Sequence, residues 1–302
     1  MKIYTLTLSP AYDVHAVCED FEKGRENLTE LTSRDAGGKG INISRALFSA
    51  GIESVPIVLL GDENSSEYES ALKVSGLVPR IIRTKGRIRE NLTLHHKGGE
   101  TRISYKGASA PSELVDLIKH EISPAPCDIL TLTGRLPEGI SPSDMHPYLR
   151  SLRDMGVKLV IDSRSYSKED ICALEPWLIK PNREEIEEYI GKRINTPSEL
   201  LRESEEVAKL SAENTLVTLD RDGAVLLCKS SKITLHAPVL NVISTIGAGD
   251  SAIAGFIYAH AKGLSDKEAL AYAVAFGSAA ALTEGTAPPK PEDIKTFFKK
   301  II

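Results

Sequence analysis

The chain has 302 residues, of which 41% are hydrophobic and 26% charged, and its formal net charge is −5 at pH 7. This length and composition suffice for a sizeable core, and the negative charge argues against a nucleic-acid footprint. No run reaches the ~18 consecutive apolar residues of a membrane helix. The N-terminus enters a strand pattern instead of a signal peptide, and the four cysteines are widely spaced without a C-x-x-C pair. We therefore expect a cytoplasmic protein with no membrane contact, zinc site or disulfide framework.

Apolar strand patterns alternate with helical patterns along the chain. Strands are predicted over residues 3–8, 55–60, 129–133, 158–161 and 216–219, and the last third reads as helices over 252–261, 267–282 and 293–302. Such alternation predicts an α/β fold with a doubly wound, mostly parallel sheet flanked by helices.

Two segments, about 12–35 and 88–106, interrupt the alternation. In the second, Lys97-Gly98-Gly99-Glu100 separates two short strand patterns and reads as a hairpin turn. We predict that the two segments form a small antiparallel sheet. Because isolated small sheets are marginally stable, an apolar outer face on this sheet is expected to be covered by a second copy of the chain.

A glycine-rich turn precedes the apolar segment that begins at Ala252. It reads Gly247-Ala248-Gly249-Asp250. The first turn of a helix leaves backbone N–H groups unpaired and attracts anions, and glycine lets the backbone approach an oxyanion closely. Asp250 beside such a phosphate pocket has the chemistry of a base that deprotonates an attacking hydroxyl. The alternative is that Asp250 only caps the helix.

A second glycine cluster, Ala36-Gly37-Gly38-Lys39-Gly40, also precedes an amphipathic helical pattern. Lys39 brings a cation, and Asn42 brings a bidentate polar group, to a ligand that carries a sugar or a phosphate. The alternative is a tight turn with a solvated lysine.

The third polar cluster is Lys180-Pro181-Asn182-Arg183-Glu184-Glu185, which follows the apolar run Trp177-Leu178-Ile179. The carboxyl ends of strands are where open α/β sheets bind ligands. Glu185 offers the oxygen ligand that Mg²⁺ prefers alongside waters and substrate phosphates. Taken alone, this cluster is equally typical of an acidic helix N-terminus.

Together with the opening Pro10-Ala11-Tyr12-Asp13, these three clusters closely resemble the phosphofructokinase B family of sugar kinases, along nearly the whole chain. The resemblance implies a single ribokinase-like kinase domain over residues 1–302, whose small sheet covers the sugar and forms a homodimer interface. The run Pro-Ala-x-Asp, the run Ala-Gly-Gly-Lys-Gly and the segment 86–91 are similar to the branch that phosphorylates sugars already carrying a phosphate.

On the acceptor side, the resemblance implies that Asp250 takes the proton from the sugar hydroxyl. It implies an anion hole for the transferred phosphoryl group, formed by the backbone amides of Gly247, Ala248 and Gly249. It implies a clamp on the phosphate of the substrate formed by Lys39 and Arg89. It also implies contacts with the sugar from Asp13, Gly37, Gly38, Asn42 and Asn91.

On the nucleotide side, the resemblance implies that ATP and Mg²⁺ are the cofactors. Asn182 and Glu185 would organise Mg²⁺ and the nucleotide phosphates, with Lys180 beside them. The adenine would lie against residues 218–223, including Thr218 and Gly223, and against residues 275–285.

The chain departs from the family pattern at Ser9, Leu28, Thr93, Arg135 and Asp220. Arg135 stands in Thr-Gly-Arg-Leu-Pro where the family commonly has serine, and its planar guanidinium suits a phosphate. The alternative for Arg135 is an exposed surface side chain. Asp220 replaces the first glycine of the nucleotide turn.

We expect 1-phosphofructokinase activity first and tagatose-6-phosphate kinase activity second. A kinase of a free sugar or nucleoside is the other catalytic alternative, and a sugar-phosphate sensor is the non-enzymatic one. No G-x-G-x-x-G follows the first strand and no G-x-x-x-x-G-K-[ST] occurs, which argues against nicotinamide-dependent and P-loop enzymes.

Overall fold

A computed structural model describes residues 1–209, 213–229 and 231–302 of the chain. The strands are β1 Ile3–Thr7, β2 Ala11–Val17, β3 Glu30–Gly37, β4 Val55–Gly61, β5 Arg80–Thr84, β6 Arg89–His96, β7 Gly99–Ser104, β8 Ile129–Thr133, β9 Lys158–Asp162, β10 Leu178–Ile179, β11 Asn214–Thr218, β12 Ala224–Cys228 and β13 Lys232–Leu235. The helices are α1 Lys39–Ser49, α2 Ser65–Val74, α3 Leu114–Glu121, α4 Pro142–Asp154, α5 Lys168–Leu174, α6 Arg183–Ile190, α7 Pro197–Ala208, α8 Ala248–Ala261, α9 Asp266–Ala280 and α10 Pro291–Ile301. Every strand and helix predicted by position is present, with ends shifted by up to four residues.

The main sheet has nine strands in the order β13-β12-β11-β10-β9-β8-β1-β4-β5. All pairs from β11 to β5 are parallel, and the two pairs that add β12 and β13 are antiparallel. The predicted doubly wound, mostly parallel sheet is therefore confirmed. Because β8 to β11 are parallel to one another and to β1, their carboxyl ends lie at the same edge of the sheet.

Hydrophobic layers cover both faces of the main sheet. Alternate residues of β1 face opposite layers: Ile3 packs with α1, α8, α9 and α10, whereas Tyr4 and Leu6 pack with helices α3 to α7. The helices α8 and α9 approach closely at Gly255, where a Cβ would meet the backbone carbonyl of Tyr272. This packing fixes the direction in which the first turn of α8 points.

The small sheet has the order β3-β2-β6-β7. The pairs β2–β3 and β6–β7 are antiparallel, as predicted, but β2 and β6 pair in parallel, so the sheet is mixed. The reason is the connection: α1, β4, α2 and β5 lie between β3 and β6, and a connection of that length does not impose the antiparallel pairing with β2 that a short hairpin would. The strands occupy most of the two predicted segments.

The described residues contain no helix that is long and apolar enough to cross a membrane. Each of the four cysteines carries a free thiol. Cys18 is buried, Cys127 is exposed, and Cys172 and Cys228 are partly exposed.

Candidate active site

The strand order brings the predicted polar residues into one row along the main sheet. Thr218 ends β11, Lys180 follows β10, Asp162 ends β9 and Arg135 follows β8. These strands are consecutive neighbours in the sheet, so the row runs from the segment predicted to bind the nucleotide to the segment predicted to bind the sugar. The site lies at the carboxyl edge, as expected for an open α/β sheet.

The N-terminus of α8 points at the middle of this row. Gly247 is its N-cap with a φ of 77°, a conformation that favours glycine. Ser251 N donates to Gly247 O at 2.9 Å. The backbone N–H of Gly249 lies earlier in the first turn of α8 than the N–H of Ser251 that makes this bond. The Nζ of Lys180 lies 3.4 Å from the point that a Cβ on Gly249 would occupy. A buried ammonium group and the positive end of a helix dipole thus face the same space, which suits an anion.

Asp250 lies in the first turn of α8 and is only 6% exposed. Its Oδ2 accepts a hydrogen bond of 2.8 Å from Nδ2 of Asn42, and the helix has no side-chain cap. Asp250 therefore does not serve as the helix cap. Burial raises the pKa of Asp250 to about 6, against the opposing attraction of Lys39. A carboxylate with a raised pKa can hold a proton transiently, as a general base must.

Lys39 lies at the start of α1 and forms an ion pair of 2.8 Å with Asp162. Burial lowers the pKa of Lys39, but the attraction of Asp162 and Asp250 outweighs burial and raises it. Burial raises the pKa of Asp162, but Lys180 and Lys39 outweigh burial and lower it. Lys39 is therefore a permanent cation in the site, held by a carboxylate that the sequence motifs did not reveal. The one signal for Asp162 in the sequence is that it is an acidic residue directly after the apolar run 158–161.

Three predicted sugar-binding residues meet on the small sheet. Nδ2 of Asn91 donates to Oδ1 of Asp13 at 2.9 Å, and Asn91 and Asp13 are direct partners in the β2–β6 pair. A Cβ on Gly37 would overlap the carboxylate of Asp13, so only glycine leaves that carboxylate its place. Burial raises the pKa of Asp13, opposed by the hydrogen bond from Asn91 and the charge of Arg89.

Several buried polar atoms around these residues have no hydrogen-bond partner among the described residues. They include Arg89 Nε, Asn91 Oδ1, Asn42 Oδ1 and Thr7 Oγ1. Buried polar groups are normally satisfied. These unsatisfied donors and acceptors are the kind of groups that a polar ligand would pair.

Gly38 connects the small sheet with α1. It is the N-cap of α1 with a φ of 137°, and its carbonyl accepts from the backbone N–H of Asn42 at 2.9 Å. A Cβ at this position would meet the methyl group of Thr7. Gly38 thereby allows the tight turn that brings Lys39 and Asn42 into the site.

Arg89 and Arg135 form the cationic end of the cleft. Burial lowers the pKa of Arg89, and repulsion by Arg135 lowers it further. Nη2 of Arg89 donates to the carbonyl of Ser9 at 3.3 Å. Arg135 is exposed, as the surface alternative predicts, but it is close enough to Arg89 for the two charges to interact. Guanidinium groups suit the oxygens of a phosphate.

Asn182 and Glu185 begin α6 with a capping box. Oδ1 of Asn182 accepts from Glu185 N at 2.9 Å, and Oε2 of Glu185 accepts from Asn182 N at 3.0 Å. The helix-cap interpretation is therefore correct for this pair. Glu185 is also 7% exposed and close enough to Lys39 to raise the pKa of that lysine. The same carboxylate thus both caps a helix and faces the site.

The donor set around Glu185 fits Mg²⁺ better than a metal that requires a protein cage. The described residues contain no group of three or more His, Cys, Asp or Glu side chains arranged to hold a metal ion. Mg²⁺ keeps several waters and uses one or two carboxylates with substrate phosphates. The buried carboxylate of Glu185 is a ligand of that kind.

Thr218 ends β11 at the outer end of the row, and Gly223 lies in the turn that leads into β12. Gly223 has a φ of 105°, and a Cβ there would collide with the backbone of Leu235 and Ala237. The glycine is therefore required by the turn into β12. Asp220 adopts a φ of 52°, which explains why glycine is natural at that position.

The fold is ribokinase-like, and a helix N-terminus that suits an anion, with a buried carboxylate beside it, is an arrangement expected of a phosphotransferase. The chain belongs to the pfkB family of carbohydrate kinases, whose model matches residues 6–293. It is 31% identical to 1-phosphofructokinase of Haemophilus influenzae over 291 residues, which cover 91% of this chain and 89% of that protein. It is 30% identical to 1-phosphofructokinase of Escherichia coli K12 over 263 residues, which cover 85% of this chain and 83% of that protein.

Solved structures agree on the fold. Phosphofructokinase-2 from Escherichia coli, in complex with substrates and products, aligns over 100% of this chain and 99% of its own with a TM-score of 0.89 and 24% identity. Ribokinase from Thermotoga maritima aligns over 99% of both chains with a TM-score of 0.80 and 20% identity. The predicted ribokinase-like fold and kinase class are thus confirmed.

Proposed function

We propose that this carbohydrate kinase transfers the terminal phosphoryl group of ATP to fructose 1-phosphate and forms fructose 1,6-bisphosphate. The observation that carries the proposal is the buried Asp250, hydrogen-bonded to Asn42 at the start of α8 and flanked by a cationic cleft. The names of the relatives from Haemophilus influenzae and Escherichia coli support this choice of substrate.

In the proposed reaction, Asp250 accepts the proton of the sugar hydroxyl as that oxygen attacks the terminal phosphorus of ATP. The bond between that phosphorus and the bridging oxygen of ADP breaks, and ADP leaves with the electron pair. The amides of Gly247, Ala248 and Gly249, with Lys180, stabilise the charge on the phosphoryl oxygens. Asn42 holds the carboxylate of Asp250 toward the acceptor.

Asp13, Gly37, Gly38, Asn42 and Asn91 would bind the sugar hydroxyls. Arg89, Arg135 and Lys39 would bind the phosphate that the substrate already carries. Charge-assisted hydrogen bonds contribute about 1.5–3 kcal/mol each. Two or three of them are enough to favour a sugar phosphate over the free sugar by several orders of magnitude.

On the nucleotide side, Lys180 and Asn182 would bind the ATP phosphates, and Thr218 and Gly223 would border the adenine. Glu185 would hold Mg²⁺, which neutralises phosphate charge when it is bound. We place this reaction in the cytoplasm, where ATP is available and thiols remain reduced.

We further propose that the small sheet is a lid over the sugar and that two copies pair through it. Large apolar side chains are exposed on or beside this sheet: Leu28, Leu31, Ile103 and Tyr105. A second copy would remove them from water, as small sheets require. A closed lid would exclude water, which competes with the sugar for the phosphoryl group.

The test is ADP release with ATP and Mg²⁺ across fructose 1-phosphate, fructose 6-phosphate, tagatose 6-phosphate, fructose and ribose. Preference for fructose 1-phosphate is the expected outcome. Preference for tagatose 6-phosphate would replace the substrate but keep the clamp. Turnover of free sugars alone would overturn the clamp, and ligand binding without turnover would indicate a sensor.

A further inference from the structure

Asp162 occupies the middle of the active-site row. It ends β9, which lies between β10, whose end carries Lys180, and β8, which is followed by Arg135. Lys180 belongs to the nucleotide half of the proposed site, whereas Lys39 belongs to the sugar half. Asp162 is therefore placed between two half-sites that must each bind an anion.

Both lysines share this one carboxylate. Nζ of Lys39 lies 2.8 Å from Oδ2 of Asp162, and Nζ of Lys180 lies 3.7 Å from Oδ1. The Asp162 side chain is 1% exposed and that of Lys180 is 5% exposed, so water cannot replace either partner. Lys39 is the more accessible of the two, at 36%.

The two distances show that Asp162 is shared unequally between the two lysines. The carboxylate pairs closely with Lys39 and leaves Lys180 at a distance beyond a hydrogen bond. The ammonium of Lys180 is therefore not drawn onto Asp162, and its three donors remain directed at the space beside the N-terminus of α8, where its Nζ lies near Gly249. If Lys39 is removed, Lys180 is the ion-pair partner of this carboxylate that remains among the described residues, and the carboxylate closes on it.

We infer that Asp162 is a positioning residue: as the shared counterion of Lys39 and Lys180, it couples the sugar half of the site to the nucleotide half. This inference rests on the proposed function, since it takes Lys180 as a nucleotide contact. Its consequence is that a change at Lys39, on the sugar side, alters nucleotide affinity through Asp162. Lys39 holds the carboxylate away from Lys180 and so keeps Lys180 available to ATP.

A double-mutant cycle tests this coupling. Binding of ATP with Mg²⁺ is measured by calorimetry, without sugar, for the wild type, Lys39→Met, Asp162→Asn and the double variant. We expect Lys39→Met to weaken ATP binding about five-fold or more in the wild-type background, within the usual range of coupling between sites. In the Asp162→Asn background, the same change is expected to have less than a two-fold effect.

The cycle separates coupling from a simple loss of positive charge. If Lys39→Met acts only by removing a positive charge, it weakens ATP binding equally in both backgrounds. That result would overturn the inference. An unchanged affinity in Lys39→Met would do the same. Lys39→Arg keeps the ion pair and is expected to bind ATP as the wild type does. If Asp162→Asn does not fold, Asp162→Ser replaces it.

Asp128 provides a matched control. Asp128 is 4% exposed and directly precedes β8, so it lies at the amino-terminal edge of the main sheet, opposite the candidate site. Its Oδ1 accepts from Lys2 N at 2.6 Å, and its Oδ2 accepts from Ala125 N at 2.9 Å. Asp128→Asn disturbs a buried aspartate equally and is expected to leave ATP binding unchanged. A wild type that binds ATP but phosphorylates no sugar phosphate would refute the proposed substrate and leave the cycle interpretable.

Discussion

Replacing Asp250 with Asn should remove activity and also stabilise the fold at neutral pH. Asparagine keeps the shape of the side chain, and its oxygen can accept the hydrogen bond from Asn42. It lacks the negative charge that burial disfavours. Loss of the base should lower kcat by roughly 10²–10⁴.

The size of the stability gain follows from the pKa of Asp250. Burial raises it from 3.8 to about 6, and each pKa unit corresponds to about 1.4 kcal/mol, so the ionised carboxylate costs at most about 3 kcal/mol. The stability contributed by the neutral carboxyl is fully present below pH 3.8 and is lost as the pH rises through about 6. The Asn variant keeps that stability at every pH.

The assay is denaturant unfolding of the wild type and the Asp250→Asn variant at pH 4 and at pH 7.5. We expect similar stability at pH 4 and a more stable variant at pH 7.5. Asp116→Asn is the control, because the Asp116 side chain is 78% exposed. A variant that is less stable than the wild type by the same amount at both pH values would refute the burial argument.

Further outcomes are expected for the rest of the site. The kcat/KM of the wild type should fall about tenfold per pH unit below about pH 6 as Asp250 becomes protonated; a flat profile down to pH 5 would contradict the assignment of the base. Arg135→Ser should raise KM for the sugar phosphate about ten-fold or more with little change in KM for ATP, since one charge-assisted contact is lost; an unchanged KM would exclude Arg135 from the site. Gly37→Ala should raise the sugar-phosphate KM because its Cβ displaces the Asp13 carboxylate, whereas Gly24→Ala, which strains the backbone at a φ of 85° but has open space around its Cβ, should not. Leu31→Asp should shift the protein from dimer to monomer in sedimentation, and a variant with unchanged mass would place the interface elsewhere.

The main sheet was predictable because its buried strands are continuous apolar runs between helical patterns. Prediction was weakest where that signal fades: in β5 only Ile82 is buried, and in β13 exposed and partly buried residues alternate. The parallel pairing of β2 with β6 has no local sequence signal, because it depends on where the chain returns after a long connection.

The geometry of the candidate site was predictable where one segment carries both the turn and the candidate reactive group, as in Gly247 to Asp250. Asp162 was not, because its two partners are distant in sequence and meet it only through the strand order. The capping box of Asn182 and Glu185 illustrates the opposite case: a local pattern predicted its geometry correctly, while its proposed role with Mg²⁺ depends on surroundings that the pattern does not contain.

The mixed topology of the small sheet has a consequence for the order of folding. Its central pair joins Asp13 to Asn91, and the intervening chain builds α1, β4, α2 and β5. Closing a loop of that length is entropically costly unless the intervening elements are already docked. Each hairpin can form early by itself, but the two can associate only after this half of the main sheet has assembled. In pulsed hydrogen exchange during refolding, amides of the β2–β6 ladder should therefore gain protection later than those between β1 and β4.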